Sequence, residues 1–398
     1  MTVLVKPHVP NSMTAQDRAL LGPQAPNIVR RYLSLWQDVL PTPLVAIPEI
    51  ARSAGLGSVM IKDEGQRLGL GSFKALGGAY AVMRIFHRKL EEHLGRTVPV
   101  GEIVSAAARG FARTLTFCCA TDGNHGKSVA AGAKILGCRS AIFVHQGVTE
   151  ARASAIGSDL VVRVTGNYDD SVLEAKRVAA EKNWILVSDT SWPGYEEYPS
   201  IVAQGYTVLA DEALAQYVEA GLAPPTHVFL QAGVGGFASS ISAHLVERLG
   251  RSNIRTIVVE PDRAACLFES ALHGGLTSAP STDPTIMAML ECYTPSLVGW
   301  RILQETADAF MTVTDEEAKS AMRALALRDG TRVISGESGA AGLAGLMAIA
   351  EDRSSRETIG LDPNSSVLLI NTETATDPSS YNAIVGRYPE AVLADCNN

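Results

Sequence analysis

His227-Val228-Phe229-Leu230-Gln231-Ala232-Gly233-Val234-Gly235-Gly236-Phe237-Ala238 is the stretch whose pattern sets the fold class. A short, mostly apolar run enters a glycine turn, and the alanine-rich segment 238–249 then carries apolar positions at helical spacing. Strand, glycine turn and helix start, in that order, make backbone N–H groups converge on an anion, and side chains at the turn would only block its approach. A phosphate is expected at 233–237. No Lys-Ser or Lys-Thr follows, which speaks against a nucleoside-triphosphate P-loop. Gly233, Gly235 and Ala238, with Glu260 downstream, also satisfy the formal G-x-G-x-x-A dinucleotide fingerprint. The turn alone therefore leaves three readings open: a dinucleotide, a smaller phosphorylated cofactor, or a structural turn.

The same alternation extends in both directions. Strand-like runs fall at Val59-Met60-Ile61-Lys62 and at 115–119, 140–144, 160–164, 185–187, 227–231, 254–259 and 367–370. Between them lie segments of helical spacing at 126–136, 171–182, 238–249 and 340–350. The spacing predicts an α/β fold with mostly parallel sheets, and ligand sites in such folds gather at the carboxyl ends of strands. The first forty residues read as an arm leading to the turn Pro41-Thr42-Pro43, with the ordered core starting there. The polar stretch 277–284 reads as a surface loop.

The chain has 398 residues, 46% of them hydrophobic and 19% charged, enough for one large core or two moderate ones. A net charge of −8 without a basic run argues against nucleic acid and acidic membrane surfaces as partners. No stretch of about eighteen uncharged apolar residues occurs, and the opening residues meet Pro7 and Pro10 before a signal core forms, so a cytoplasmic protein is expected. Six scattered cysteines make neither a disulfide scaffold nor the paired spacing of a zinc site, and no metal is expected. Cys118-Cys119, in an apolar run, reads as buried, reduced core.

Two further glycine-flanked segments carry chemistry: Gly71-Ser72-Phe73-Lys74-Ala75 and Thr121-Asp122-Gly123-Asn124-His125-Gly126. A lysine in the first turn of a helix, after a Ser72 N-cap, opposes the helix dipole, and the same field eases its deprotonation. That suits an amine which forms a Schiff base with an aldehyde cofactor. Alone, Lys74 would read as a solvated surface lysine and His125 as a hydrogen-bonded structural histidine. In company with the 233–237 turn they favour pyridoxal 5'-phosphate, since hydride transfer needs neither segment.

The set Ser72-Phe73-Lys74, Gly123-Asn124-His125-Gly126 and Gly233-Val234-Gly235-Gly236 resembles the tryptophan-synthase-β group of pyridoxal enzymes, fold type II. Within it the chain is most similar to the diaminopropionate ammonia-lyases, through Asp189-Thr190-Ser191-Trp192, Gly194-Tyr195, Gln204-Gly205-Tyr206, Val259-Glu260-Pro261-Asp262, Thr285-Ile286-Met287-Ala288 and Ile334-Ser335-Gly336-Glu337-Ser338-Gly339. The resemblance implies α,β-elimination of 2,3-diaminopropionate to pyruvate and two ammonia. It implies that Lys74 holds the cofactor with Phe73 beside it, that Asn124 bonds the ring hydroxyl, and that Gly233, Val234, Gly235, Gly236 and Phe237 bind the phosphate. Thr121, Asp122, Gly123 and His125 would meet the amino-acid substrate, chiefly through backbone groups at its carboxylate.

Asp122 stands where related dehydratases carry a small hydroxyl residue, and a carboxylate there suits a substrate that also brings a β-ammonium. Asp189 is the second acid that the resemblance carries over. Lys74 is the expected base at Cα and Asp122 the expected base for a D-substrate. Near the C-terminus the family pattern Ser-Thr-Glu-Gly-Asp-Thr-Asp is replaced by Asn371-Thr372-Glu373-Thr374-Ala375-Thr376-Asp377, so either Asn371 or Thr372 is expected at the pyridine nitrogen. Cys266 and Cys292 fall in matching segments; the resemblance allows a cross-link, and reduced thiols are the expectation. It further implies a homodimer, a larger cofactor-binding domain of residues 1–80 and 195–398, and a smaller domain, 81–194, that closes on the substrate. The rivals are a serine/threonine dehydratase of the same fold, an NAD-dependent oxidoreductase using the 233–238 turn and Glu260, and a pyridoxal-binding protein without catalysis.

Overall fold

The structure, a computed structural model, describes residues 2–5, 9–36, 39–281 and 283–394. Its strands in chain order are β1 Thr2–Val5, β2 Leu44–Ala46, β3 Ser58–Asp63, β4 Thr116–Ala120, β5 Arg139–His145, β6 Leu160–Val164, β7 Ile185–Leu186, β8 His227–Gln231, β9 Arg255–Pro261, β10 Ala309–Val313 and β11 Ser366–Asn371. They divide between two compact units. The larger takes residues 1–23, 41–66 and 209–398, and the smaller takes 24–40 and 67–208.

The larger unit is built on a seven-stranded sheet in the order β1-β10-β9-β8-β11-β3-β2. Its five central strands are parallel, and the short edges β1 and β2 run antiparallel. β8 and β11 are buried at every position, which is why they read as continuous apolar runs rather than alternating ones. The smaller unit holds a parallel four-stranded sheet, β6-β5-β4-β7. The α/β class with mostly parallel sheets is as the sequence indicated.

The N-terminal reading needs correction. Residues 2–5 and 9–36 are not a bare arm: β1 pairs antiparallel with β10, with Val3 opposite Met311, and helices Ala15–Leu21 and Ala25–Leu33 follow. Thr14 and Asp17 form a capping box, and the Asp17 carboxylate accepts two bonds from the Arg301 guanidinium at 3.0 Å. A four-residue edge strand whose partner lies 300 positions away leaves no local pattern to read. Lys6 and Pro7 lie outside the described residues, as does Thr282 of the expected 277–284 loop; the rest of that loop has neither helix nor strand.

The contact-defined boundaries fall at 66/67 and 208/209, where sequence suggested 80/81 and 194/195. Helix Lys74–Leu94 belongs to the smaller unit because it lies against helix Asn124–Leu136. A Cβ on Gly132 would stand 2.8 Å from Ala79 Cα, and Ser128 Oγ accepts from Ala79 N at 2.8 Å. The first half of helix Glu197–Glu219 approaches the same helix as closely, since a Cβ on Gly205 would lie 2.4 Å from the Leu76 carbonyl oxygen. Among the described residues no helix is long and apolar enough to cross a membrane.

Candidate active site

In the smaller unit the carboxyl ends of β4, β5 and β7 lead into Thr121-Asp122, Gln146-Gly147 and Val187-Ser188-Asp189. Lys74 opens helix Lys74–Leu94. Phe73, not Ser72, takes the cap position, already helical at φ −56° and ψ −24°; an N-cap side chain reaches its N–H groups only from extended backbone. Ser72 Oγ is instead buried without a hydrogen-bond partner. The Phe73 ring packs on Tyr206, with centroids 4.7 Å apart. Lys74 Nζ donates to Asp189 Oδ2.

Asp189 is held by bonds on its approach strand. Val187 N donates to the Cys118 carbonyl at 2.8 Å, and His125 Nε2 donates to the Val187 carbonyl at 2.8 Å. The Tyr195 hydroxyl donates to the Leu186 carbonyl at 2.7 Å and accepts from Ser188 N at 3.0 Å. His125 is thereby the Nε2-protonated tautomer, with Nδ1 4.0 Å from Asp189 Oδ2. Burial lowers its pKa and keeps it neutral. Burial alone would push the Asp189 carboxyl up, but the Lys74 ammonium more than offsets this and holds it well below the usual carboxylate range.

Asp122 sits in the turn before helix Asn124–Leu136, and His145 Nε2 lies 2.9 Å from its Oδ1. Gly123 caps that helix at φ +142°, a conformation that side chains rarely adopt. Thr121 Oγ1 accepts from Gly123 N at 2.9 Å and from Gly126 N at 3.1 Å, and Thr121 N donates to the Phe143 carbonyl at 3.0 Å. The Thr121 and Gly123 N–H groups are thus already committed. The expectation that the backbone of 121–125 meets a carboxylate thus loses these two donors.

In the larger unit Gly235, at φ +95°, caps helix Gly236–Leu249 directly after β8. A Cβ on Gly235 would stand 3.1 Å from Leu267 Cδ1, and one on Gly233 would stand 3.0 Å from Cys292 Sγ and 3.3 Å from Leu290 Cα. Ser296 N fixes the turn by donating to the Val234 carbonyl at 2.9 Å. Phe237, in the first turn, is buried. The helix start presents N–H groups that have no intrahelical acceptor, and its dipole favours an anion. Gly235→Ala should cost the cofactor-free protein about 1–2 kcal/mol through the positive φ and weaken cofactor retention; urea unfolding and a cofactor titration measure the two.

Glu260 does not serve the dinucleotide reading. It is fully buried at the end of β9 and accepts from Leu267 N at 2.8 Å and Phe268 N at 2.7 Å, capping helix Cys266–His273. Burial pushes its pKa up to about 8 even against those two donors, so no acid is left there for a ribose. Cys266 and Cys292 are both free thiols, and Cys266 Sγ donates to the Gly233 carbonyl at 3.5 Å. At the end of β11, Asn371 Nδ2 donates to Asp63 Oδ1 at 2.7 Å and the Ile334 carbonyl at 2.9 Å, while its Oδ1 is buried without a partner. Thr372 Oγ1 accepts from Gln231 Nε2 at 3.1 Å, which leaves its own proton to donate.

Each unit carries features that suit pyridoxal phosphate. A lysine amine stands at a helix start, a glycine turn with no room for side chains stands at another, and Ser72 Oγ and Asn371 Oδ1 are buried polar atoms with bonding capacity to spare. The chain belongs to the pyridoxal-phosphate dependent enzymes, whose family profile matches residues 35–373, and pyridoxal 5'-phosphate is its cofactor. Within that family it is 38% identical over 381 residues to the diaminopropionate ammonia-lyase of Escherichia coli (strain K12), covering 92% of each chain. The crystal structure of the Escherichia coli enzyme in complex with D-serine superposes with a TM-score of 0.86 at 33% identity, covering 98% of each chain. The L-threonine dehydratase of Haemophilus influenzae is 29% identical over 329 residues, covering 80% of this chain and 54% of that one.

Tyr195 and His145 carried no sequence-based assignment in this site. Tyr195 lay within a recognised motif, but its hydroxyl bonds are made through the fold. His145 ends a strand predicted to run parallel, and the rule that sites gather at that edge was the signal that pointed to it.

Proposed function

We propose that this chain is a carbon–nitrogen lyase that removes ammonia from 2,3-diaminopropionate and leaves pyruvate and a second ammonia. The observation that carries the reading is the pair of acids at one sheet edge of the smaller unit: Asp189 on the Lys74 amine and Asp122 at the start of helix Asn124–Leu136. One carboxylate on the lysine and a second at the same end of the sheet suit a substrate with two ammonium groups, and a monoamino hydroxy acid has no second cation to offer them. The relatives that share most of the chain's length carry that activity in their names.

Bound pyridoxal phosphate supplies the electron sink for the charge left at Cα. Lys74 would hold its aldehyde, the helix start after Gly235 its phosphate, and Asn124 the ring hydroxyl. Thr372 would donate to the ring nitrogen, because both Asn371 amide hydrogens are engaged elsewhere. Lys74, as a free amine, would be the base that removes the α-proton of the L-isomer. Asp189 holds the β-ammonium and then the departing ammonia. Asp122 is the base for the opposite face, and the D-serine bound by the Escherichia coli relative makes the D-isomer a substrate worth assaying here. The helix start at Asn124 and His125, with the Thr121 hydroxyl, receives the carboxylate. Loss of ammonia from Cβ leaves 2-aminoacrylate, which water converts to pyruvate and ammonia, so no oxidant or metal is needed.

In this reading the larger unit carries the phosphate turn and the smaller unit presents Lys74 and the acids to the substrate. A cytoplasmic homodimer completes the proposal. Release of the 2-oxo acid is the test: pyruvate formation from 2,3-diaminopropionate should exceed pyruvate formation from serine and 2-oxobutyrate formation from threonine by about a hundredfold in kcat/KM, the value of a lost buried charge contact. Equal or faster release from serine or threonine would make the chain a dehydratase. Asp122→Asn should lower kcat/KM for the D-isomer by about a hundredfold and leave the L-isomer within a few-fold; equal losses on both would remove the base assignment.

A further inference from the structure

Gln231 closes β8 just before the glycine turn and is buried. Its Nε2 lies 3.4 Å from the Ser338 carbonyl oxygen, 3.0 Å from that of Gly339, 2.9 Å from that of Ile370 and 3.1 Å from Thr372 Oγ1. Three of these four neighbours are carbonyl oxygens, which can only accept, so the atom facing them is the amide nitrogen and the amide has one orientation. Its two hydrogens are shared among the four acceptors as three-centre bonds. Oε1 lies against Gly342 in the first turn of helix Ala341–Glu351, where a Cβ would stand 3.1 Å from it, and it is buried without a partner. A buried amide that leaves its own carbonyl unsatisfied is costly to keep for packing alone.

Thr372 follows β11, the parallel neighbour of β8, so one sheet sets the pair. An N–H can only donate, so the Thr372 hydroxyl takes the Gln231 bond on a lone pair and its own proton is left to donate elsewhere. The same amide already bonds the Ile370 and Gly339 carbonyls, the backbone acceptors to which a threonine hydroxyl without such a donor would turn. We infer that Gln231 is the positioning residue of Thr372: its amide, locked by three backbone carbonyls, keeps the Thr372 hydroxyl a donor to the ring nitrogen of the cofactor. This rests on the proposed role of Thr372. Gln231 itself exchanges no proton.

The test is a titration of the full-length, cofactor-free protein with pyridoxal 5'-phosphate and with 1-deazapyridoxal 5'-phosphate, whose ring carries C–H in place of the nitrogen. Wild type should bind the first about tenfold more tightly, the worth of one buried hydrogen bond. Thr372→Val should bring the two affinities within about twofold of each other, and Thr372→Ser should keep the preference. Gln231→Met removes the donor at nearly constant volume. Gln231→Glu puts at the Nε2 position an oxygen with at most one proton, whose lone pairs draw the Thr372 proton inward. Both should cut the preference to about threefold or less, and Gln231→Glu, with a polar head of the same size, decides alone if Gln231→Met does not fold. A Gln231 that served the fold alone would weaken both cofactors by the same factor and leave the ratio at its wild-type value; that result would overturn the inference while Thr372 kept its place at the ring. No preference in wild type, or one that survives in Thr372→Val, would overturn the ring-nitrogen assignment itself, and the role of Gln231 with it.

Discussion

Replacing Lys74 with alanine is expected to lower kcat on 2,3-diaminopropionate by at least about a thousandfold, because one amine both anchors the cofactor and serves as base. The variant should still collect pyridoxal phosphate through the turn after β8, but without a covalent link, so that dialysis removes the yellow colour. The reasoning is positional. Lys74 begins a buried helix locked at Gly132 and Gly205 by approaches closer than any side chain permits, so no neighbouring lysine can swing in to replace it. Lys62, the nearest lysine before it in the chain, is fully buried in the larger unit, with Nζ on the Thr42 carbonyl at 2.6 Å and Glu212 Oε2 at 2.9 Å. Arginine at 74 should fail equally, since it keeps the charge and loses the nucleophile.

Asp189→Asn carries the second large expected effect. The carboxylate meets the Lys74 amine in the free protein and the β-ammonium in the proposed complex, so its loss should lower kcat/KM on 2,3-diaminopropionate by about a hundredfold or more. The same substitution should reach stability through linkage. The Lys74 ammonium holds the folded-state pKa of Asp189 below the ordinary aspartate value of 3.8, so the stabilisation it contributes is fully present above about pH 4 and is lost as pH falls towards the folded value. Cofactor-free wild type should therefore exceed Asp189→Asn in unfolding free energy by a constant margin from pH 5 to 8, and the margin should shrink below about pH 4. Urea titrations at several pH values measure it. A margin that grew on acidification would mean that the carboxyl is not the ionised partner of Lys74.

How much of this was legible in the sequence depended on how local each signal is. β8 with its glycine turn was readable because strand, turn and helix start occupy adjacent residues and each has its own periodicity. β1 was not, since an edge strand of four residues gains its stability from a partner far along the chain, and the central β10 went unread as well. Ser72 shows the limit of reading caps from residue type: the hydroxyl is there, but Phe73 is already helical and the cap moves on by one residue. Glu260 matched a fingerprint by spacing, and only its two backbone donors reveal that the acid closes the next helix. Asp122 and Asp189 could be named from motifs, whereas Tyr195, which braces the approach to Asp189, acts through bonds that the fold makes between separate segments.

The most direct measurement is borohydride reduction of the yellow holoenzyme followed by peptide mapping. The pyridoxyl label should lie on Lys74 alone and should be absent from Lys74→Ala. A label on Lys62 or any other lysine, with Lys74 unmodified, would contradict the assignment of the cofactor lysine and the roles of Asp122 and Asp189 built around it.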